Sequence, residues 1–483
     1  MRKSAIFFVS YIISLLLCFH FGEVFALAAA LVPLVIAIFK KDLRILMLSC
    51  ALAILGGVIL MSAAVPDKAV IGFYDGKSKY LCGTVKEITT ENTYIKLDES
   101  GLTVNCSLDC KNIGVGDKIK GVFVFSQIKD TDEFPSRLYN AGKGAFISAK
   151  VYVKEVSKVF SLAKLSEKIR DGIGGVFKKY LGEFSGLASG IMLGEKTYIP
   201  YKYKELLYAN GITHILCVSG LHFGILLSIF ASLFASSPLP KTVSCVCTAL
   251  LALFYMFITG FTVSILRAGI MSLFVLFDYA FRRRTDSLST LSFAAFAICL
   301  VNPLTVLDLS FRLSFLSTAG IILMTKNVVV PIYKKMPKNT MSSISLTVVG
   351  GFAISLAAVA MCMPVVAVYF GKISVMTPIG NLVCAPIAEI FLIFAFFLVV
   401  ISPLKLPAVM LAGFVKFLGK AFVTVCELLS GSAFYIPLDK GFFVYISVLL
   451  ISLPIFASLF GTDRRKEITL FSFLSVILLA VLA

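Results

Sequence analysis

Gly211-Ile-Thr-His-Ile-Leu-Cys-Val-Ser-Gly-Leu-His-Phe-Gly-Ile-Leu-Leu227 is apolar enough to lie in a membrane, yet it holds two of the chain's three histidines. It also holds the Ser219-Gly220 pair and two further glycines, Gly211 and Gly224. Ionisable groups are costly in hydrocarbon, so within a membrane segment they mark a function by default. The surrounding sequence puts this stretch in a membrane. The chain has 483 residues, 58% of them hydrophobic, with mean hydropathy +0.94, whereas soluble domains are ~45–50% apolar.

Working outward, three apolar runs open the chain at 4–20, 24–39 and 45–64. Ten more follow at 215–235, 242–260, 262–281, 287–301, 311–325, 343–369, 376–401, 408–430, 441–460 and 468–482. Runs of ~20 apolar residues span a bilayer as helices, so the chain reads as a polytopic α-helical membrane protein of about thirteen spans. Arg2-Lys3 and Lys40-Lys41 fall on the cytoplasmic side by the positive-inside rule. On this map Lys241, Arg282-Arg283-Arg284, Lys326 to Lys338, Lys405 and Arg464-Arg465-Lys466 fall there too. The net charge of +18 is therefore accounted for by loop lysines and arginines and does not by itself imply nucleic acid. Met1-Arg2-Lys3 before an apolar run imitates a signal peptide, with Ala26-Leu27-Ala28 as a cleavage-like site. The apolar sequence continues at once to Phe39, which favours a retained signal-anchor helix.

Four regions are expected: an N-terminal three-helix membrane region (1–65), a small β domain (66–160), amphipathic or interfacial helices (161–210) and the main membrane domain (211–483). Residues 66–160 alternate polar and β-branched residues in five short runs, Tyr80–Ile88, Tyr94–Leu97, Leu102–Cys106, Lys118–Phe125 and Phe146–Val153. That pattern predicts an inserted antiparallel β domain of OB type, which the third helix delivers to the extracytoplasmic side. Its charges nearly balance, so it is not marked as a strong polyanion binder. Cys82, Cys106 and Cys110 lie in it, and an oxidising compartment permits a disulfide among them. Three cysteines leave the pairing open. Residues 160–183 combine helical apolar spacing with a basic face, which suits a helix in the membrane interface or one packed on the β domain.

The candidate site residues follow from cost. His214 and His222 are eight residues apart, ~12 Å of rise on a straight helix, too far to share a metal ion. No metal site and no cofactor are expected. Ser219 and His222, three apart, are within hydrogen-bonding reach on a helix. One reading is an intramembrane hydrolase centred on them. A second is a simple kink with the histidines bonded to backbone. The favoured reading is a helix broken at Ser219-Gly220, with exposed backbone lining a cavity. Arg267 lies mid-span with no acid within a turn, so its countercharge comes from another helix, with Glu389 or Asp308 as structural partners, or from an anionic substrate. Asp308 and Arg312 are spaced for a helical ion pair. Pro378, Gly380, Asn381 and Pro386 make a continuous helix unlikely over 371–386, and Glu389 adds an acid one turn later. Gly76-Lys77-Ser78 lacks the first glycine of a phosphate loop.

Thr213-His214-Ile215-Leu216-Cys217-Val218-Ser219-Gly220-Leu221-His222 resembles the signature of the ComEC family of competence proteins. Gly186-Leu187 to Gly194-Glu195-Lys196, Thr259-Gly260 to Arg267-Ala268-Gly269, Asn302-Pro303 to Ser310-Phe311-Arg312-Leu313-Ser314-Phe315, Met363-Pro364 to Phe370-Gly371 and Asn381 to Pro386 agree in order. Gly83-Thr84-Val85 and Gly116-Asp117 resemble the family's OB-type domain, whereas Phe134-Pro135 departs from its usual Phe-Asp. The resemblance implies a channel component that carries single-stranded DNA across the cytoplasmic membrane during natural transformation. It implies an outer DNA receptor protein and a cytoplasmic ATP-driven DNA motor as partners. The metallo-β-lactamase-like domain of many members has no counterpart here, so a short form without nuclease activity is expected: either another chain supplies that activity or the chain is a truncated relative. Residues expected along the path are His214, Ser219, Gly220, His222, Arg267, Asn381 and Glu389. The lipid bilayer, and a homo-oligomer as one assembly, complete the expected partners. A transporter of another anionic polymer or lipid is the remaining alternative; on the favoured reading the chain is not an enzyme.

Overall fold

The computed structural model describes residues 3–39, 44–89, 92–108, 113–130, 134–159, 161–195, 197–281, 286–334, 340–431, 435–437, 446–448, 450–451, 453–455 and 465–482. The clusters at Lys40-Lys41 and Arg282–Arg284, together with Cys110 and Lys196, lie outside them. The chain forms two compact units. One comprises Arg2–Glu167 with Ser292–Arg312; the other comprises Lys168–Leu291 with Leu313–Ala483 and also includes Met1.

The first unit opens with helices α1 (Lys3–Phe21), α2 (Glu23–Phe39) and α3 (Arg44–Ala64). Their sequences are apolar on all sides, as a segment solvated by lipid requires. After α4 (Lys68–Tyr74) come the strands β1 (Ser78–Ile88), β2 (Thr93–Leu97), β3 (Thr103–Leu108) and β4 (Lys118–Gln127), then α5 (Ser136–Gly142) and β5 (Ala145–Ser157). All five expected strands form. They close into a barrel in the order β1-β2-β3-β5-β4, with only β3 and β5 parallel. This is the OB-type arrangement, and closure removes the exposed edges that an open sheet leaves. Alternation decides which side chains fill it. Val85, Ile95, Val104, Ile119, Phe123, Phe125 and Val151 are each no more than 2% exposed, and each buried large apolar side chain contributes about 1.5–3 kcal/mol. The same alternation sends Cys106 inward and Cys82 outward, and both are free thiols.

Helix α5 docks against the turn Pro303–Leu307, which belongs to the same unit. Gly142 makes the approach possible: a Cβ there would lie 2.7 Å from the backbone of Asp308. Lys143 then bridges Asp308 at 3.2 Å and Glu87 at 2.9 Å. Asn140 ties the helix to the barrel, its Oδ1 accepting from Tyr94 Oη at 3.0 Å and Asn105 Nδ2 at 2.9 Å.

At the barrel rim, buried Asp117 accepts from the Gly114 N–H at 2.8 Å and from the Lys164 ammonium. Burial pushes the Asp117 carboxyl up, but Lys164, the Gly114 N–H and the Lys158 charge outweigh this and hold it below the usual range. A carboxylate depressed in the folded state stabilises above its unfolded value, ~3.9, and that stabilisation fades as pH falls through the folded value. Wild-type protein is therefore expected to lose more thermal stability than Asp117→Asn below about pH 4. Parallel pH profiles in a melting series would count against the rim contact.

The second unit begins within α6 (Leu162–Leu181) and continues through α7 (Ser185–Leu193), α8 (Tyr201–Ala209), α9 (Gly220–Ala235), α10 (Lys241–Ile258) and α11 (Val263–Phe281). Helices α12 (Ser287–Val301) and α13 (Leu309–Met324) each cross between the units. Then come α14 (Val330–Tyr333), α15 (Thr340–Phe370), β6 (Lys372–Ser374), α16 (Thr377–Ile401), α17 (Lys405–Ser430), β7 (Tyr435–Pro437) and the helix Arg465–Leu482. Residues 160–183 form helix α6, as their spacing predicts. Its Phe177 and Leu181 are buried with Leu187, Phe391 and Phe422 of α7, α16 and α17, and Ile169, Ile173 and Val176 pack on that cluster. In its first turn Lys164 meets Asp117 at the barrel rim.

Eight described helices are long and apolar enough to cross a membrane, among them α10, α11, α16 and α17. Four shorter apolar helices, Glu23–Val35, Gly220–Ala235, Ser287–Val301 and Ile446–Ile455, and the helix Arg465–Leu482 occupy further apolar runs.

Candidate substrate site at a helix break

The expected break at Ser219-Gly220 is present. Thr213–Leu216 form one short 3-10 turn, Cys217 and Ser219 hold extended backbone, and α9 starts at Gly220. Ser219 is the N-cap: its Oγ accepts from the His222 N–H at 3.1 Å, and the Ser219 N–H donates to His222 Nδ1 at 3.5 Å. This is a capping box with histidine in the place usually held by Glu or Gln. Serine and histidine therefore meet as the sequence spacing allows, but through each other's backbone N–H groups. Nδ1 is taken as an acceptor, and no Oγ-to-imidazole hydrogen bond of a nucleophile and base is made. Replacing Ser219 by Ala is expected to cost about 1 kcal/mol of stability through the lost cap and to leave function largely intact. Complete loss of function in a stably expressed Ser219→Ala protein would revive the hydrolase reading.

Arg267 of α11 is brought to this break. Its side chain is 8% exposed, and a Cβ built on Gly220 would lie 2.4 Å from its Nη2, so a larger residue there would displace the guanidinium. Nη1 donates to the Ser314 carbonyl of α13 at 2.9 Å, while Nε is buried without a partner. That carbonyl also accepts from Ser317 Oγ at 3.1 Å and Thr318 Oγ1 at 2.8 Å. Neither structural partner named from sequence is used: among the described residues no carboxylate pairs with Arg267. Asp308 instead faces Lys143 and caps α13 through the N–H groups of Ser310 and Phe311. Arg312 Nε donates to the Val306 carbonyl at 3.1 Å. Ahead of α11, Phe261 holds φ +52, the one positive value at a non-glycine among the described residues, a conformation that costs about 1–2 kcal/mol.

The second irregular segment is interrupted more briefly than its prolines imply. Helix α15 ends at Phe370, Gly371 takes φ +64, and β6 follows before α16 resumes at Thr377. Pro378 sits in the first turn, where no intrahelical N–H bond is lost, and α16 runs on through Pro386. The break is confined to 371–376, and Asn381 and half-buried Glu389 lie on continuous helix. The end of α8 meets this region: Ser374 Oγ donates to the Ala209 carbonyl at 2.9 Å, and a Cβ on Gly380 of α16 would lie 2.9 Å from the Asn210 carbonyl. Asn381 Nδ2 donates to Ser355 Oγ at 2.8 Å, leaving its buried Oδ1 without a partner. His214 is exposed on the 3-10 turn with Thr213 and Cys217. The site thus gathers Ser219, Gly220, His222 and Arg267, with Asn381 and Glu389 on a neighbouring helix. Ser314 was not singled out from sequence; its place in Ser310-Phe311-Arg312-Leu313-Ser314-Phe315 was the available signal. No group of three or more His, Cys, Asp or Glu gathers to hold a metal among the described residues.

A multi-pass membrane protein with a closed β-barrel and a buried cation at a helix break is the class these features define. The chain belongs to the Competence protein family, whose model matches residues 191–464, more than half of its length. It is similar to ComE operon protein 3 of Bacillus subtilis (strain 168), 25% identical over 139 residues, which cover 29% of this chain and 18% of that relative. No solved structure matches the chain.

Proposed function

We propose that the chain is a channel component that passes single-stranded DNA across the cytoplasmic membrane during natural transformation. The observation that carries this reading is Arg267: a buried guanidinium at a helix break, with no described carboxylate to neutralise it. A cation kept uncompensated within a bundle of apolar helices favours an anionic substrate, and DNA carries one negative charge at each phosphate. Exposed Thr213, His214 and Cys217 beside the break add groups suited to a wet path rather than to lipid. The loop charges orient the β-barrel to the extracytoplasmic side. An outer DNA receptor supplies the strand and a cytoplasmic ATP-driven motor pulls it. The chain itself moves its substrate without covalent chemistry.

The test is uptake of labelled DNA in a deletion strain, with surface-bound and internalised label scored separately. Deletion is expected to leave surface-bound label and abolish internalised label. Normal internalisation would overturn the reading. Competition by another polyanion, without effect from DNA, would favour the alternative transporter.

A further inference from the structure

We propose that Arg267, the Ser314 hydroxyl and the first turn of α9 form a site for one phosphodiester group of the passing strand. The choice of a DNA phosphate as occupant rests on the function proposed above; the anion-binding geometry does not.

Three sets of donors are linked through Arg267, whose Nη1 meets the Ser314 carbonyl and whose Nη2 lies beside Gly220. Arg267 Nε is buried and unpartnered, and its Nη2 lies against Gly220, the first residue of α9. Ser314 Oγ, on the residue whose carbonyl receives Nη1, is also buried without a partner. The N–H groups of Gly220 and Leu221 open a 16-residue helix, where no intrahelical acceptor exists. The capping box occupies the N–H of His222, and the Ser219 carbonyl that of Phe223, so the first two remain. A helix N-terminus carries roughly half a positive charge, and Arg267 adds a full one beside it. Two like charges held together in a water-poor site repel, and an anion between them reverses the sign of that interaction. Guanidinium forks and helix N-termini are both suited to phosphate oxygens. A purely structural arginine would be satisfied by its acceptors; here one carbonyl, already shared with Ser317 and Thr318, leaves Nε idle.

The experiment uses the full chain in phosphatidylcholine nanodiscs. Binding of a fluorescent oligothymidylate is compared with that of the same length carrying uncharged methylphosphonate linkages. Wild-type protein is expected to prefer the charged strand. Arg267→Gln should weaken charged-strand binding about tenfold or more, and Ser314→Ala several-fold, with the methylphosphonate strand unaffected. Arg267→Lys should fall between. Gly220→Ala, which retains the charge but displaces the guanidinium, should resemble Arg267→Gln, and it serves with Ser314→Ala if Arg267→Gln does not fold. A parallel arm adds phosphatidylglycerol and counts retained lipid by native mass spectrometry. Lipid retention that depends on Arg267, with strand binding unaffected by every variant, overturns the assignment to DNA. Variants that change neither ligand overturn the site. If the variants lose strand binding in nanodiscs while cells lacking the protein internalise DNA normally, the site stands and the channel reading falls.

Discussion

Arg267→Gln is expected to lower internalised DNA by at least about tenfold in transforming cells while leaving surface-bound DNA at the wild-type level. The guanidinium is buried, lacks an ion partner among the described residues, and stands at the start of α9. If each passing phosphate makes one charge-assisted contact there, its removal forfeits ~1.5–3 kcal/mol, roughly a tenfold to hundredfold effect. Glutamine removes the charge and, being shorter than arginine, also gives up the contact of Nη1 with the Ser314 carbonyl, so the comparison is made per molecule of protein in the membrane. Lysine restores the charge without the planar fork and should recover part of the loss. The measurement is nuclease-protected label per cell, normalised to protein in the membrane fraction. Wild-type internalisation by a well-expressed Arg267→Gln protein would remove Arg267 from the path.

Asp308→Ala is expected to destabilise the first unit by about 3 kcal/mol, in the range found when one partner of a buried ion pair is removed. Asp308 is 5% exposed and serves two elements at once. It pairs with Lys143 of the barrel unit and caps α13 through Ser310 and Phe311. Asp308→Asn keeps a capping oxygen and loses the ion pair, so its defect should be smaller. Glu87 remains beside Lys143, which limits the damage in both variants. Burial alone would lower the Lys143 ammonium, but the charges of Asp308 and Glu87 more than reverse this and raise it. A lysine raised by its partners contributes fully below its unfolded value, ~10.4, so the defect should be constant between pH 6 and pH 9. Thermal melting of the purified protein is expected to shift by on the order of 5–10 °C. A double-mutant cycle with Lys143→Met would isolate the pair, and a zero coupling term would discard it.

Legibility in the sequence followed the range of the interaction. The barrel strands were visible because period-two alternation is local: Leu81, Gly83 and Val85 point in while Tyr80, Cys82 and Thr84 point out. The helix break was visible because Ser219-Gly220 combines a good N-cap with a residue of low helix propensity. The prolines of 371–386 misled in extent. Pro378 lies in a first turn, where proline is favoured, and Pro386 is carried within α16, as membrane helices tolerate. At helix α6 the amphipathic spacing showed that a face is buried but not what buries it.

By itself the sequence determined the class of protein, the apolar runs, the five-stranded barrel and the position of the break. Each rests on composition or on a period shorter than a dozen residues. Only the tertiary structure decided what surrounds Arg267 and Asp308. Arg267 meets Gly220 and the Ser314 carbonyl, both 47 residues away in opposite directions, and Asp308 meets Lys143 across a far longer separation. The sequence could show that a buried charge needs a partner, because desolvation makes that demand locally. Which group answers it depends on how helices from distant parts of the chain pack, and at Arg267 no described carboxylate does.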